Sequence, residues 1–161
     1  TPRCDIRGCE KPQDVKWITS KTYSRTDPPL KAGEVDARGV ALLCGMCKPH
    51  AKAEADRRFS LFIRNRDGRC MIPTEKLCSG PLQACHLLSH RFMSTRYDEQ
   101  NCVAGCRTHH AYWTANPDRW AAFLENFLGN DRQLAQLRSR AFHGDPPDLA
   151  EVLARYPADR G

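Results

Sequence analysis

The sequence predicts a small α+β protein that is stabilised by zinc rather than by one large hydrophobic core. Three observations favour this fold class. The chain has nine cysteines in 161 residues, and only 40% of its residues are apolar, which permits a modest core. Its cysteines and histidines also form short pairs, and tetrahedral zinc takes two ligands from each of two tight turns. We therefore expect an N-terminal zinc module, a second zinc-stabilised core and C-terminal helices.

The cysteine usage favours metal ligation over disulfide bonds. Nine is an odd number, and the first residues, from Thr1 to Cys4, offer no apolar stretch typical of a secretory signal. We therefore expect the cytoplasm as the compartment, because its reducing conditions keep thiols available to zinc. No apolar run approaches the roughly 20 residues that a membrane-spanning helix needs, so no membrane partner is expected.

Residues 1–50 are predicted to form the first zinc module. Two ligand pairs lie near its ends, and a polar, turn-prone segment separates them. Four sulfur ligands leave no open coordination position, so this zinc is expected to be structural. Metal binding would hold together a segment that has too few apolar residues for a core. The predicted ligands are Cys4, Cys9, Cys44 and Cys47.

Residues 51–66 are predicted to form a helix that links the two zinc modules. Apolar side chains recur at three- and four-residue spacing, which is typical of an amphipathic helix, and basic side chains occupy the other faces. The apolar positions are Ala51, Ala55, Phe59, Phe62 and Ile63, and the basic ones are Lys52, Arg57, Arg58 and Arg64.

Residues 67–116 are predicted to form a β-hairpin followed by a helix. Segments 81–88 and 99–105 have the composition of short strands, and segment 106–116 predicts a helix that ends before Pro117. The helix begins with a Cys-x2-His pair, which suits zinc. The predicted ligands of this second structural zinc are Cys70, Cys78, Cys106 and His109.

Residues 117–161 are predicted to form a C-terminal helical extension. Apolar residues recur there at helical spacing in three stretches, which turn residues separate. We expect these aromatic and aliphatic side chains to be packing residues. They are Trp120, Phe123, Leu124, Phe127 and Leu128, then Leu134, Leu137 and Ala141, and finally Leu149, Val152, Leu153 and Tyr156.

The positive charge of the chain is concentrated in its first part. The formal net charge is +6, and residues 1–69 carry 15 Lys and Arg against 9 Asp and Glu. Such a bias favours a polyanionic partner, because counterion release supplies affinity that does not depend on base sequence. A solvated basic surface is the alternative explanation.

Four short motifs in residues 62–110 carry a resemblance to a known family. They are Phe62-Ile63-Arg64-Asn65-Arg66-Asp67, Ala84-Cys85-His86, Arg96-Tyr97 leading to Asn101, and Cys106-Arg107-Thr108-His109-His110. Over residues 3–116 the chain resembles HNH (ββα-metal) endonucleases, in particular the phage NinG/Rap recombination nucleases. The intervals of 15 residues from His86 to Asn101 and of nine from Asn101 to His110 are ordinary for this motif.

The resemblance implies a metal-dependent endonuclease that cleaves DNA. In that family the strand histidine is the general base, so the role passes to His86. The middle asparagine holds the hairpin loop, which points to Asn101, and the last motif residue binds a catalytic divalent ion such as Mg²⁺ or Mn²⁺, which points to His110. The resemblance further implies branched or recombining phage DNA as substrate and, for a phage-encoded chain, a bacterial host cytoplasm.

Three ligand questions stay open at the level of sequence. Many relatives have an Asp before the general base, as a second ligand of the catalytic ion, where this chain has Cys85. A thiolate prefers zinc to magnesium, so Cys85 either leaves the ion to His110 or changes the preferred ion; it could also displace Cys78 from the structural zinc. His50 could replace a cysteine in the first module, with a surface histidine as the alternative. Cys102 is expected to be a buried free thiol.

Three arginines are candidates for contact with the phosphate backbone, because a guanidinium donates two parallel hydrogen bonds to phosphate. They are Arg91, Arg96 and Arg107, and a solvated arginine is the alternative at each position. A second hypothesis for the whole chain is a non-catalytic module with two zinc ions that binds nucleic acid or another protein. That hypothesis leaves His86, Asn101 and His110 without a role.

Overall fold

The computed structural model describes residues 48–128 and 131–158. The ligands predicted for the first zinc, Cys4, Cys9, Cys44 and Cys47, lie outside the described residues, as does nearly all of the predicted module 1–50. The described residues contain five helices and a two-stranded sheet, which makes them a small α+β structure. None of the described helices is long and apolar enough to cross a membrane.

The chain divides into two compact units. The described residues of the first unit are 48–59 and 147–158, and those of the second fall within 60–146. Helix α1, Lys48–Asp67, contributes residues to both units and covers the helix predicted for residues 51–66. It begins earlier than predicted, at Lys48. Pro49 is compatible with this start, because the N–H that proline lacks has no intrahelical partner in the first turn.

A small apolar core lies within the first unit. Ala51 and Ala55 of α1 are fully buried. Phe59 meets Tyr156 edge to face, with 5.3 Å between the ring centroids. Tyr156 follows the short helix α5, Leu149–Arg155. The predicted apolar spacing is therefore confirmed for these positions of α1.

Arg58 was predicted to lie off the apolar face of α1, and it is nevertheless buried. Its side chain is 8% exposed, and its guanidinium donates to the backbone oxygens of Leu153 at 3.1 Å and Tyr156 at 3.5 Å. The last carbonyls of a helix need outside donors, and Arg58 supplies them to α5. Arg58 also donates to Glu54 at 2.7 Å, and the hydrogen bonds from Arg57 and Arg58 lower the pKa of that carboxyl to about 2.

The second unit is built on an antiparallel hairpin. Strand β1, Leu82–His86, pairs with β2, Cys102–Cys106. The register places Leu82 opposite Cys106 at one end and His86 opposite Cys102 at the other. Both strands are shorter than the predicted segments 81–88 and 99–105.

The second strand begins late because its predicted first residues form a tight turn. Residues Glu99–Asn101 adopt a 3-10 conformation. The side chain of Asp98 accepts a hydrogen bond from the N–H of Gln100 at 2.9 Å, which caps the turn and offers its backbone an alternative to strand pairing. The prediction of a strand from residue 99 is therefore wrong for the first three residues.

Three helices follow the hairpin in the second unit. Helix α2, Arg107–Ala115, matches the predicted segment 106–116 except that the two end residues are its caps. Helix α3 is Pro117–Phe127, and α4 is Asp131–His143. The apolar faces of α3 and α4 join the hairpin in one buried cluster, which consists of Ile72, Cys85, Leu87, Val103, Phe123, Leu124 and Leu137.

Candidate metal centre and hairpin site

The four residues predicted to bind the second zinc lie together in the structure. The ligand atoms of Cys70, Cys78, Cys106 and His109 all lie within 4.8 Å of one another. The Nδ1 atom of His109 is 3.3 Å from the Cys70 sulfur and 3.7 Å from the Cys78 sulfur. Zinc bond lengths place a nitrogen and a sulfur ligand about 3.6 Å apart in a tetrahedral site. The cluster, called the cage below, therefore has the size of a zinc site.

The start of α2 shapes one half of the cage. Cys106 is the N-cap of the helix, and its sulfur accepts a hydrogen bond from the N–H of His109 at 3.4 Å. Desolvation opposes ionisation, but hydrogen bonds from the backbone N–H groups of His109 and Ser79 lower the pKa of the Cys106 thiol. Thiolate is the form that binds metal, so the helix terminus prepares this residue as a ligand.

A backbone carbonyl orients the imidazole of His109. Its Nε2 atom lies 2.7 Å from the carbonyl oxygen of Lys76. A carbonyl can only accept, so Nε2 carries the proton and Nδ1 presents its lone pair to the cysteines. Metal-binding histidines in proteins commonly donate their second N–H in this way.

Cys85 does not belong to the cage, so the sequence alternative in which it displaces Cys78 is not realised. Its side chain is 2% exposed, and burial raises the pKa of the thiol to about 12. The sulfur packs directly over Gly105, where an added Cβ would approach it to 2.8 Å and Ile72 to 2.5 Å. Cys102 is likewise buried, with its pKa raised to about 12 by burial, which confirms the expectation of a buried thiol.

His86 lies at the end of β1 with its imidazole held by the loop between the strands. Its Nε2 atom is 2.8 Å from the carbonyl oxygen of Arg96. Since that oxygen can only accept, the neutral ring carries its proton on Nε2 and its basic lone pair on Nδ1. The ring also meets the exposed His90 edge to face, at 6.0 Å between centroids.

Asn101 ties the two ends of this loop together. The residue is fully buried. Its Oδ1 accepts from the N–H of Leu88 at 2.7 Å, and its Nδ2 donates to the carbonyl oxygens of Leu88 at 3.2 Å and Thr95 at 3.0 Å. Its backbone carbonyl accepts from the N–H of Leu87 at 2.8 Å. These bonds fix the segment that follows His86 against the turn that precedes β2.

His110 lies in the first turn of α2, next to the cage ligand His109. Its Nδ1 atom is 2.8 Å from Oε1 of Gln83 on β1. The amide oxygen accepts, so Nδ1 carries the proton and Nε2 the lone pair. Burial lowers the pKa of His110, which favours the neutral form that can bind a metal ion.

The two candidate catalytic histidines are associated with opposite faces of β1, since His86 belongs to the strand and His110 contacts its Gln83. Side chains alternate along a strand, so Gln83, the partner of His110, faces one side and His86 the other. The two positions are also separated by about 10 Å along the strand axis, at the usual rise per residue. The outer edge of β1 pairs with no further strand in the part of the chain that the structure describes.

The three candidate arginines differ in their surroundings. Arg91 and Arg107 are exposed. Arg96 is half-buried and donates to the carbonyl oxygen of His90 at 2.7 Å. Arg91 and Arg107 therefore present guanidinium groups to solvent. The side chain of Arg96 instead forms a hydrogen bond within the loop, and the carbonyl of the same residue accepts from His86.

Sequence reasoning missed the groups that orient these imidazoles. The carbonyls of Lys76 and Arg96 belong to the backbone, so no side chain announces them. Gln83 did leave a signal, because it is a polar residue that shares a strand face with the buried Cys85. A polar side chain at such a position usually has a partner inside the protein, and here that partner is His110.

Comparison of the chain with models of protein families, with curated proteins and with solved structures finds no match. The chemistry of the hairpin and the cage is therefore the basis for a functional assignment.

Proposed function

We propose that this chain is a metal-dependent HNH endonuclease that hydrolyses phosphodiester bonds of DNA. The observation that carries the proposal is the hydrogen bond between Nε2 of His86 and the carbonyl of Arg96. This bond leaves the lone pair on Nδ1, and a neutral imidazole with one orientation is the group that general-base catalysis at neutral pH requires.

His110 is the residue proposed to hold the catalytic ion. Its second nitrogen donates to Gln83, which matches the carbonyl partner that metal-binding histidines commonly have. A divalent ion bound there, Mg²⁺, Mn²⁺ or another, would supply positive charge for the scissile phosphate and for the leaving oxygen. The buried thiol of Cys85, with its raised pKa, is not proposed as a ligand.

In the proposed reaction His86 removes a proton from water through Nδ1. The resulting hydroxide attacks phosphorus in line with the leaving 3′-oxygen of the sugar. The P–O3′ bond breaks, as the resemblance to HNH nucleases implies, and the leaving oxygen takes a proton from solvent water while the His86 imidazolium returns its own proton to solvent, which leaves a 3′-hydroxyl and a 5′-phosphate. The Arg96 carbonyl stabilises the imidazolium that forms, because it keeps accepting from Nε2.

The zinc sites are proposed as a frame. The cage of Cys70, Cys78, Cys106 and His109 includes two residues from the start of α2 and is proposed to hold its first turn in place. That turn carries His110. A matching structural zinc is proposed for the N-terminal module, whose ligands lie outside the described residues. The basic first part of the chain and the exposed Arg91 and Arg107 are proposed to contact DNA. Branched or recombining phage DNA inside a bacterial host is the proposed substrate.

A plasmid-nicking assay tests the proposal. Supercoiled plasmid is incubated with the purified chain and Mg²⁺, Mn²⁺ or Ni²⁺. His86→Ala should reduce the rate by about a hundredfold or more, because general-base catalysis supplies that factor. The matched control is His143→Ala, which removes an exposed histidine near the end of α4 and should cut normally. Equal rates for His86→Ala and the wild type would contradict the proposed role of His86 as the general base.

The alternative is a non-catalytic double-zinc module that binds nucleic acid or protein. The observation that favours it is the cage itself, because four protein ligands complete a structural zinc site without any catalytic role. This alternative predicts a salt-dependent gel shift with DNA and no cleavage with any of the three metals. Comparison of linear duplex, single-stranded and junction DNA in both assays would also define the preferred substrate.

A further inference from the structure

Arg140 of α4 is anchored to the turn that precedes β2. Its Nε donates to Oδ2 of Asp98 at 2.9 Å, and its terminal nitrogen donates to Oε1 of Gln100 at 2.9 Å. The same Asp98 carboxylate accepts from the backbone N–H of Gln100 at 2.9 Å. Arg140 thus binds the side chain of Asp98, which caps the turn Glu99–Asn101, and the side chain of Gln100 within that turn.

This turn is continuous with the group that orients His86. The N–H of Asp98 donates to the carbonyl of Thr95 at 3.2 Å, and the side chain of Asn101 donates to the same carbonyl at 3.0 Å. Residue 96 follows immediately, and its carbonyl accepts from Nε2 of His86. The peptide between Thr95 and Arg96, which adjoins the acceptor of His86, is therefore held from the turn side by Asp98 and Asn101.

A second set of contacts joins the end of α4 to the same loop. Ser94 donates from its hydroxyl to the carbonyl of Ala141 at 2.9 Å, and Phe92 meets Phe142 edge to face at 4.8 Å between centroids. The helix end packs so closely that a Cβ on Gly144 would lie 3.1 Å from the Cβ of Ser94. Two separate sets of contacts thus pack the end of α4 against residues 92–100.

We infer that Arg140 is a positioning residue for His86. It acts through Asp98 and the Arg96 carbonyl, which sets the proton on Nε2 and keeps Nδ1 as the basic atom. The inference deepens the proposed nuclease function and rests on it for its kinetic consequence. It also assigns α4 a part in the site, although helices α3 and α4 fall within the segment that the sequence predicts as a packing extension.

The first test uses the Nε2 proton of His86, which needs neither DNA nor a catalytic ion. In nitrogen-15-labelled protein the hydrogen-bonded proton should be visible and should exchange slowly with water. Arg140→Gln should speed its exchange by about fivefold, the factor expected from losing an ion pair of ordinary strength. His86→Ala assigns the signal. The matched control is Arg138→Gln, an exposed arginine on the same helix, which should leave the exchange rate unchanged.

The second test separates positioning from DNA contact and from general stability. Arg140→Gln should lower kcat for plasmid nicking by about fivefold with KM unchanged. Arg140→Lys keeps the charge near Asp98 and should restore part of kcat. Asp98→Asn keeps an oxygen that can accept from Gln100 and should behave like Arg140→Gln, which gives a second reading if Arg140→Gln folds poorly.

The possible results are distinct. If Arg140→Gln lowers the melting temperature but leaves both the exchange of the His86 proton and kcat unchanged, Arg140 is only a packing residue and the inference is wrong. If KM rises and kcat holds, Arg140 contacts DNA and the inference is also wrong. If no protein variant cleaves DNA, yet the exchange of the His86 proton still responds, the positioning stands and the proposed nuclease function fails.

Discussion

The two ends of the hairpin are held by different kinds of bond. At the end where Leu82 faces Cys106, the neighbouring loop of residues 73–81 is almost entirely exposed. The cage residues join it to α2, together with backbone hydrogen bonds from Arg107 to Pro81 and from Thr108 to Ser79. At the end where His86 faces Cys102, the neighbouring loop is anchored by the fully buried Asn101. One end thus carries the candidate metal ligands, and the other is held by the hydrogen bonds of a buried side chain.

This difference teaches what each kind of residue does in a small core. The cage loop has little apolar surface to bury, so a metal ion bound by the cage would take the place of burial. Asn101 and Thr95 are buried, so the polar groups beside them need internal partners, and the Asn101 amide makes three hydrogen bonds, to Leu88 and Thr95. The two ends should therefore fail under different treatments.

The largest effect is expected from Cys106→Ser. Loss of a thiolate should release one zinc ion per chain and lower the free energy of unfolding by on the order of 5 kcal/mol, since zinc binding and folding are coupled. Hydrogen exchange should rise first in residues 70–81 and in the first turn of α2, and later around Asn101. Cys102→Ala, which removes a buried thiol outside the cage, should keep its zinc. A variant Cys106→Ser with full zinc content would contradict a metal-held end.

Asn101→Ala should produce the next largest effect. It removes three hydrogen bonds and leaves the part-buried N–H and carbonyl of Leu88 without their side-chain partner, which costs about 2 to 4 kcal/mol in the free energy of unfolding. Asn116→Ala is the control, because Asn116 is half-buried and donates one side-chain bond, to Tyr112 at 2.7 Å. Urea unfolding in the presence of zinc measures both. Similar losses for the two variants would contradict the prediction that the hydrogen bonds of the buried Asn101 stabilise the protein more than the bond of the half-buried Asn116.

A smaller effect is expected from Trp120→Phe. The indole N–H of Trp120 donates to the carbonyl of Leu87 at 3.0 Å, just beyond His86, and its loss should cost about 1 kcal/mol. Trp113→Phe is a matched control, because its indole nitrogen is buried without a hydrogen-bond partner among the described residues. The difference between the two variants isolates the bond to Leu87. Equal destabilisation would assign the effect to ring packing alone.

The smallest effect is expected from Leu77→Ser. The leucine side chain is 88% exposed beside the cage ligand Cys78, so its replacement should change the free energy of unfolding by less than about 0.5 kcal/mol. Thermal unfolding of the zinc-loaded protein measures this change. A loss above about 1 kcal/mol would show that apolar contacts, and not metal ligands alone, stabilise the cage end.

Several parts of this fold were predictable because they depend on local spacing. The Cys-x2-His pair at the start of α2 follows from the helix turn, which brings the N-cap Cys106 and His109 together. The apolar stripe of α1 and the helix that begins at Pro117 follow from periodicity and from the proline. The late start of β2 was missed, because the cap formed by Asp98 outweighs the strand composition.

The sequence alone therefore determined the helices, the two strands and the four residues that form the cage, since ligand type and short spacing are written along the chain. Only the tertiary structure decided which atoms orient the imidazoles: the carbonyls of Lys76 and Arg96, and the amide of Gln83. It also decided that Arg58 is buried and that Arg140 supports the turn before β2. The physical reason is that backbone acceptors have no side-chain signature, and that partners distant in sequence are chosen by burial, which local periodicity does not report.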